Sequence, residues 1–226
     1  MGLGFDLYID KNLIYVCGNV TDGSDGRQYD LYTYNTDNAQ IRHLIPAEMK
    51  YGYATFSSYK SGFLANNAPI GMKAYCTLHG NDAYFVWEGD LRIVRIDVKT
   101  RKMDVFGHKS SGYHKPKVTK ELREAYKERD RRGVKKERDK LSYVVEIFSG
   151  ADYIGLIYQT FETGSRKYMV QFYRPDGQYI KETMLNEELS PLFYFRKDIG
   201  TLYNLAERFG EDEESVYEVL KYRVLK

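Results

Sequence analysis

Apolar and polar positions alternate along much of this chain with the period of two expected of half-buried strands, in short runs separated by polar turns. Three segments repeat one pattern of strand, tight turn and strand: YDLYTYNTDNAQIRHLI (Tyr29 to Ile45), LRIVRIDVKTRKMDVFG (Leu91 to Gly107) and YMVQFYRPDGQYIKETM (Tyr168 to Met184). Their turns fall at Asn35 to Asn38, Asp97 to Thr100 and Arg174 to Gly177. In the third, Pro175 presets φ for the first central position and Gly177 tolerates φ > 0, so the turn has a mechanism. Upstream of each pair lies another hairpin: GFDLYIDKNLIYVCGNV, KAYCTLHGNDAYFVWEG and YVVEIFSGADYIGLIYQT. These turn at Asn12, at Gly80-Asn81-Asp82 and at Gly150-Ala151-Asp152, residue types that tight hairpins favour.

Two hairpins in sequence make a four-stranded antiparallel meander, the unit of a β-propeller blade. The expected class is therefore all-β, with blades at about 4–45, 73–107, 141–185 and 191–226. The last begins at LFYFRKDIGTLYNLAE, passes the acidic loop Gly210 to Glu214 and ends after its third strand. With no spare strand before Gly4 to complete it, the chain is expected to be either a ring with an unusual closure or the C-terminal part of a larger ring. The first two strands of each unit are the more apolar, as strands near the ring axis should be. Outer strands such as IRHLI and YIKET mix polar and apolar positions, as a half-solvated edge should.

Two insertions break the period. The first, residues 46–72, is rich in Gly, Asn and aromatics (Tyr51, Tyr53, Phe56, Tyr59, Phe63) and is expected to form a loop or extra hairpin at one face. The second, 109–140, holds 13 Lys or Arg against 6 Asp or Glu, and carries the basicity of a chain whose formal net charge is only +2. Thr119 can cap a helix with Glu121 in its first turn, and Val118, Leu122, Ala125 and Tyr126 share a face. The pattern predicts about three helical turns, interrupted at Gly133. Glu128 is spaced to pair with Arg131 and Arg132, which makes the segment a mixed-sign solvated face.

Composition is that of an ordinary folded protein, 42% hydrophobic and 29% charged, except for its 22 tyrosines, which suit pleated strands. No apolar run reaches the roughly 20 residues a membrane-spanning helix needs. MGLGFDLYID has neither the basic nor the apolar region of a signal peptide, so localisation stays open and export would need an upstream segment. Cys17 and Cys76 fall in different blades at spacing that matches no metal or redox motif, and are expected as unpaired, buried thiols.

The blade pattern, the basic helical insertion just before a blade opening on Leu141-Ser142, and the ending LYNLAERFGEDEESVYEVLKYRVLK resemble the C-terminal part of bacterial six-bladed β-propeller proteins of the NHL-like and Bacteroides-type groups. The Asn-His-Leu signature itself is absent. The resemblance implies a ring used as a binding platform, often in exported proteins, and brings no catalytic residues.

Chemistry-bearing motifs are few. His43, His79, His108 and His114 are scattered, and the separation of His108 from His114 is no ligand spacing, so they are expected as loop or edge histidines. Thr21 to Gly26 (TDGSDG) has the oxygen-rich look of a calcium loop. It fails the EF-hand register, since Ser24, Gly26 and Thr33 occupy ligand positions, and a long hairpin loop explains it. Glu211 to Glu214 reads as a solvated turn. No G-x-S-x-G or phosphate-binding glycine loop is present. No catalytic or metal-ligating residue and no cofactor is assigned. The expected function is a non-catalytic platform for a protein, glycan or small ligand. The alternative is a metal-dependent hydrolase or lyase with its site at the channel mouth. Residues 115–140 offer a weaker route to nucleic acid or anionic lipid, and open blade edges could pair with another chain.

Overall fold

The computed structural model describes residues 6–21, 28–46, 74–114, 119–162, 164–185, 193–196, 200–209 and 215–223. These form four separate antiparallel sheets, each a simple meander in chain order. Sheet 1 holds β1 (Asp6–Asp10), β2 (Leu13–Thr21), β3 (Gln28–Asn35) and β4 (Gln40–Pro46). Sheet 2 holds β5 (Ala74–His79), β6 (Asp82–Trp87), β7 (Ile93–Asp97) and β8 (Met103–Phe106). Sheet 3 holds β9 (Tyr143–Ser149), β10 (Ile154–Glu162), β11 (Ser165–Tyr173) and β12 (Tyr179–Met184). Sheet 4 has three strands, β13 (Phe193–Arg196), β14 (Thr201–Phe209) and β15 (Ser215–Arg223). Between sheets 2 and 3 lie the helices α1 (Lys120–Lys127) and α2 (Arg131–Asp139). No helix among the described residues is long and apolar enough to cross a membrane.

Each turn is made by its local chemistry. Asp97 Oδ1 accepts from the backbone N–H groups of Lys99 and Thr100, Asn35 Oδ1 accepts from Asp37 N–H, and Gly177 sits at φ +96° with its N–H on the Arg174 carbonyl. Between the turns, alternation sends side chains to two faces, and both faces of the middle sheets are buried. On β6, Ala83, Phe85 and Trp87 join Tyr15, Leu31 and Leu44 of sheet 1, while Tyr84 and Val86 join Val144, Leu156 and Tyr158 of sheet 3. A third cluster, with Tyr143, Val145, Phe148, Ile157 and Tyr168, meets Leu202 of sheet 4. Sheet 3 changes parity at a bulge: Val144 opposes Tyr158 while Glu146 opposes Ile157, so Val144 and Ile147 face the same cluster although three residues apart. The first strands of consecutive sheets neighbour one another, β1 with β5, β5 with β9 and β9 with β13. The fourth strands carry the exposed apolar residues Ile41, Met103, Val105, Ile180 and Met184.

Three sequence expectations are corrected. Cys76 is disulfide-bonded rather than a free thiol, and Cys17 is the chain's other cysteine. Cys76 lies in the cluster between sheets 1 and 2, a proximity that separation along the chain could not reveal. The basic insertion forms two helices, and the break comes at Arg129 (φ +57°) and at Asp130, which caps α2 through its carboxylate on Arg132 N–H. Gly133 lies inside α2, because an N-cap outweighs the modest helix penalty of one glycine. Glu128 forms no ion pair among the described residues; instead the insertion is tied to the sheets, as described below. The Thr119 cap does form, its hydroxyl accepting from Leu122 N–H. Residues 22–27, 47–73 and 210–214, which include most of the oxygen-rich loop, nearly all of the aromatic insertion and the acidic turn, lie outside the described residues, as does the His43 side chain.

Candidate binding cleft at the exit of the second sheet

Strand registers define two ends for each sheet. In sheet 2, Ala74 opposes Trp87, Val86 opposes Ile93, and Ile93 opposes Phe106, so the sheet's entry, its β6–β7 loop and its exit all lie at one end. At that end the loop Glu88 to Arg92 meets the exit segment Gly107 to His114. Between them is a cleft of about 330 Å³, lined by Gly89 to Arg92, Gly107 to Ser110 and Tyr113. Its wall depends on Gly107: a Cβ there would stand 2.9 Å from the Leu91 carbonyl oxygen and 3.1 Å from Arg92 Cα, so only glycine lets the two backbones approach.

The exit segment is strapped to sheet 3 by a polar network. Glu182 on β12 is its hub. Its carboxylate accepts from Gln171 Nε2 at 2.7 Å, and meets the Tyr158 hydroxyl at 2.9 Å and Ser110 Oγ at 3.1 Å. Tyr158 and Ser110 are themselves 2.7 Å apart, and Ser110 accepts from Gly112 N–H. Gln171 Nε2 also donates to the His108 carbonyl, while Tyr173 donates to Gln171 Oε1 and accepts from His108 N–H. Thr160 donates to the Gly112 carbonyl. Tyr158, Gln171 and Tyr173 are completely buried, where an unmade hydrogen bond is costly, so each partner fixes the others. Burial pushes the Tyr158 hydroxyl well above the ordinary tyrosine range, with Glu182 adding to the rise. Burial does the same to Tyr173.

The helices are anchored beside this strap. Arg138 of α2 pairs at 2.5 Å with Glu88, whose side chain is only 3% exposed, and lies over the Tyr143 ring; Asp139 pairs with Arg166 of β11. Buried Gln159 donates to the carbonyls of Asp139 and Leu141. Leu122 and Ala125 supply the buried face of α1. A carboxylate as buried as Glu88 requires its partner, so the second helix is held at the same end as the cleft.

At the opposite end the same two sheets are joined by the Arg174 to Gly177 turn. Tyr84 and Arg95 both donate to the Pro175 carbonyl, and Arg95 pairs with Asp104. Burial, reinforced by Asp82, pushes the Tyr84 hydroxyl up to about 12, and Arg95 holds the Asp104 carboxyl below its ordinary range.

The histidines do not converge. His79 Nδ1 is 3.2 Å from the Gly150 carbonyl, His114 is exposed with its N–H on Ser142, and His108 enters the cleft wall stacked on Tyr179 (centroids 3.8 Å, interplanar 14°). Among the described residues no group of three or more His, Cys, Asp or Glu is placed to hold a metal. Sequence reading singled out His108 but missed Asp90, Arg92, Ser110 and Tyr113. Two of these lie inside the insertion, where the charge run masks them, and two lie in a strand-connecting loop.

No protein-family model matches the chain, and no curated protein sequence matches it either. Among solved structures, it is similar to a member of the DUF4221 family from Bacteroides vulgatus at a TM-score of 0.58 and 10% identity, over 97% of this chain and 64% of that one. It also aligns with a bifunctional GH43-CE protein from Bacteroides eggerthii, at 9% identity over 95% of this chain and 24% of that one, with a TM-score of 0.43. The chain thus shares the β-sheet fold of the Bacteroides vulgatus protein while spanning less than two thirds of its length.

Proposed function

We propose that this chain is a segment of a six-bladed β-propeller that acts as a non-catalytic binding platform, with the cleft between the β6–β7 loop and the exit segment of its second sheet as a ligand site. Neighbouring first strands, outer strands at the solvent, and middle sheets buried on both faces are what radiating blades require. Four sheets spread over 64% of the longer Bacteroides vulgatus chain leave room there for about two more, which fits a ring within the usual range of four to eight blades. A disulfide at Cys76 suits the oxidising compartment expected of an exported protein.

The observation that carries the binding reading is the commitment of the acids around the cleft. Glu182 faces three donors, Glu88 is paired with Arg138, and Asp90 is paired with Arg92, which leaves a shaped cleft with no unengaged carboxylate base among the described residues around it. The test is a thermal-shift screen of small molecules, with each stabilising compound incubated and followed by NMR. The expected result is stabilisation with the compound recovered unchanged. Protein-dependent conversion of a hit would replace a binding module with an enzyme.

A further inference from the structure

We propose that the second helix of the basic insertion docks this protein on an anionic lipid surface, through an outward face made of Arg131, Arg132, Lys135 and Lys136.

No residue of α2 is buried, so the helix adds nothing to a hydrophobic core. Arg131 and Arg132 occupy its first turn, which holds no acid, although the helix dipole disfavours cations there. Its sequence therefore serves neither packing nor helix stability. Yet the helix is firmly moored: Arg138 reaches buried Glu88, Asp139 pairs with Arg166 of β11, and Gln159 donates to the Asp139 carbonyl. What such mooring fixes is the face that α2 turns to solvent.

The same contacts sort the charges. At 3.6 residues per turn, Arg131, Lys135, Arg132 and Lys136 share an arc of about 140°. All four are exposed and make no ion pair among the described residues. The acids interleaved with them in sequence are matched elsewhere, Glu137 by Lys140 and Asp139 by Arg166, while Asp130 caps the helix on Arg132 N–H. On α1, by contrast, Lys120 pairs with Glu124 on the exposed side. From Lys120 to Lys140, once the ion-paired residues are set aside, seven exposed cations stand against the exposed acids Glu121, Glu128 and Asp130. Clusters of about four to eight Lys or Arg on a helix are the footprint of anionic lipid headgroups.

A lipid surface fits this face better than nucleic acid does. No aromatic is among the described exposed residues of the two helices, so no base finds a stacking platform. A bilayer presents its charge over a plane and needs no matching groove, which suits one side of a short helix. The disulfide at Cys76 suits an oxidising compartment, where membrane surfaces are at hand and nucleic acid is scarce. With no apolar residue on the outward arc, the contact is electrostatic and reversible, without insertion.

The experiment sediments the intact chain with vesicles of phosphatidylcholine alone, or of phosphatidylcholine with about one third phosphatidylglycerol. Binding is expected to the anionic vesicles only, and to be lost at about 1 M salt, where the screening length falls to about 3 Å. One cation at an anionic surface is worth about fivefold in affinity. Lys135→Gln combined with Lys136→Gln is therefore expected to weaken binding about twentyfold, with the melting temperature unchanged because neither residue is buried. Arg at both positions should keep the binding. Lys99→Gln combined with Lys102→Gln removes the same charge from exposed positions at the other end of sheet 2, and should cost less than about threefold. Equal losses from the two pairs, binding to neutral vesicles, persistence at high salt, or no binding at low salt would each overturn the assignment. Duplex DNA bound as tightly as the anionic vesicles would replace the lipid surface with nucleic acid. The cleft is tested separately, by the thermal-shift screen.

Discussion

The joint between sheets 1 and 2 and the joint between sheets 2 and 3 use the same strands of sheet 2 and reach different ends. Toward sheet 1, Ala83, Phe85, Trp87, Val94 and Ile96 make an almost wholly apolar contact, with disulfide-bonded Cys76 among them. Toward sheet 3, Tyr84, Tyr158 and Tyr173 bring hydroxyls into the core, and those hydroxyls recruit Ser110, Gln171, Glu182 and the Pro175 carbonyl. Apolar burial is non-directional and tolerates small shifts. A hydrogen-bonded joint specifies positions, since each buried partner left alone is penalised. The cleft of about 330 Å³ lies beside the second joint, under the exit segment that the polar network straps to sheet 3, while the first joint has a recess of about 150 Å³ lined by Leu13, Thr33, Asn35, Gln40, Arg42, Leu44 and Val98.

The comparison can be broken from the apolar side first. Trp87 is 1% exposed and meets Phe85 edge-on at 4.6 Å, so Trp87→Ala is expected to cost about 4 kcal/mol in chemical denaturation, with little change in the exchange of the Gly107 to Tyr113 amides. Reducing the disulfide at Cys76 should cost about 3 kcal/mol, read as a lower melting temperature with reductant than without. An unchanged melting temperature would mean that sheets 1 and 2 are held by apolar contact alone.

From the polar side, Glu182→Ala removes the hub facing Tyr158, Ser110 and Gln171 and is expected to cost about 2 kcal/mol. Its signature is local: hydrogen exchange should accelerate in Gly107 to Tyr113 while β5 to β7 stay protected. Uniform acceleration would show that the strap is not a separate element.

The smallest effect is alkaline. Below pH 10 Tyr84 is protonated whether the chain is folded or not. Between pH 10 and about 12 the folded protein keeps a proton that the unfolded chain gives up, so stability falls as pH rises through that window. The contribution of Tyr84 is on the order of 1 kcal/mol once solvent screening is allowed for. Tyr84→Phe should flatten the slope of denaturation midpoint against pH over that range, and an unchanged slope would place the sensitivity at other groups.

Much of the strand layout was legible because the period of two and the turn residues are local signals. The hairpin turns at Asn12, Gly80 and Gly150, the Pro175-Gly177 turn and the three-stranded last sheet all follow from residues adjacent in the chain. The helix break was misplaced because glycine was weighted above the capping carboxylate of Asp130. The candidate cleft was barely legible. His108 drew notice for its chemistry, but its partner Tyr179 lies in another hairpin, and Gly107 reads as an ordinary strand end until Leu91 and Arg92 are set against it.

By itself, then, the order of apolar and polar residues determined that this chain forms meanders, where they turn, and that a charged helical segment interrupts them. Those properties depend on neighbours a few residues apart. Which faces meet, that Cys76 is bridged, that Glu88 is buried under Arg138, and that Tyr113 lines a cleft beside Lys109 were decided only by the tertiary structure. Each depends on groups brought together from distant parts of the chain, and apolar alternation is nearly the same for every such pairing.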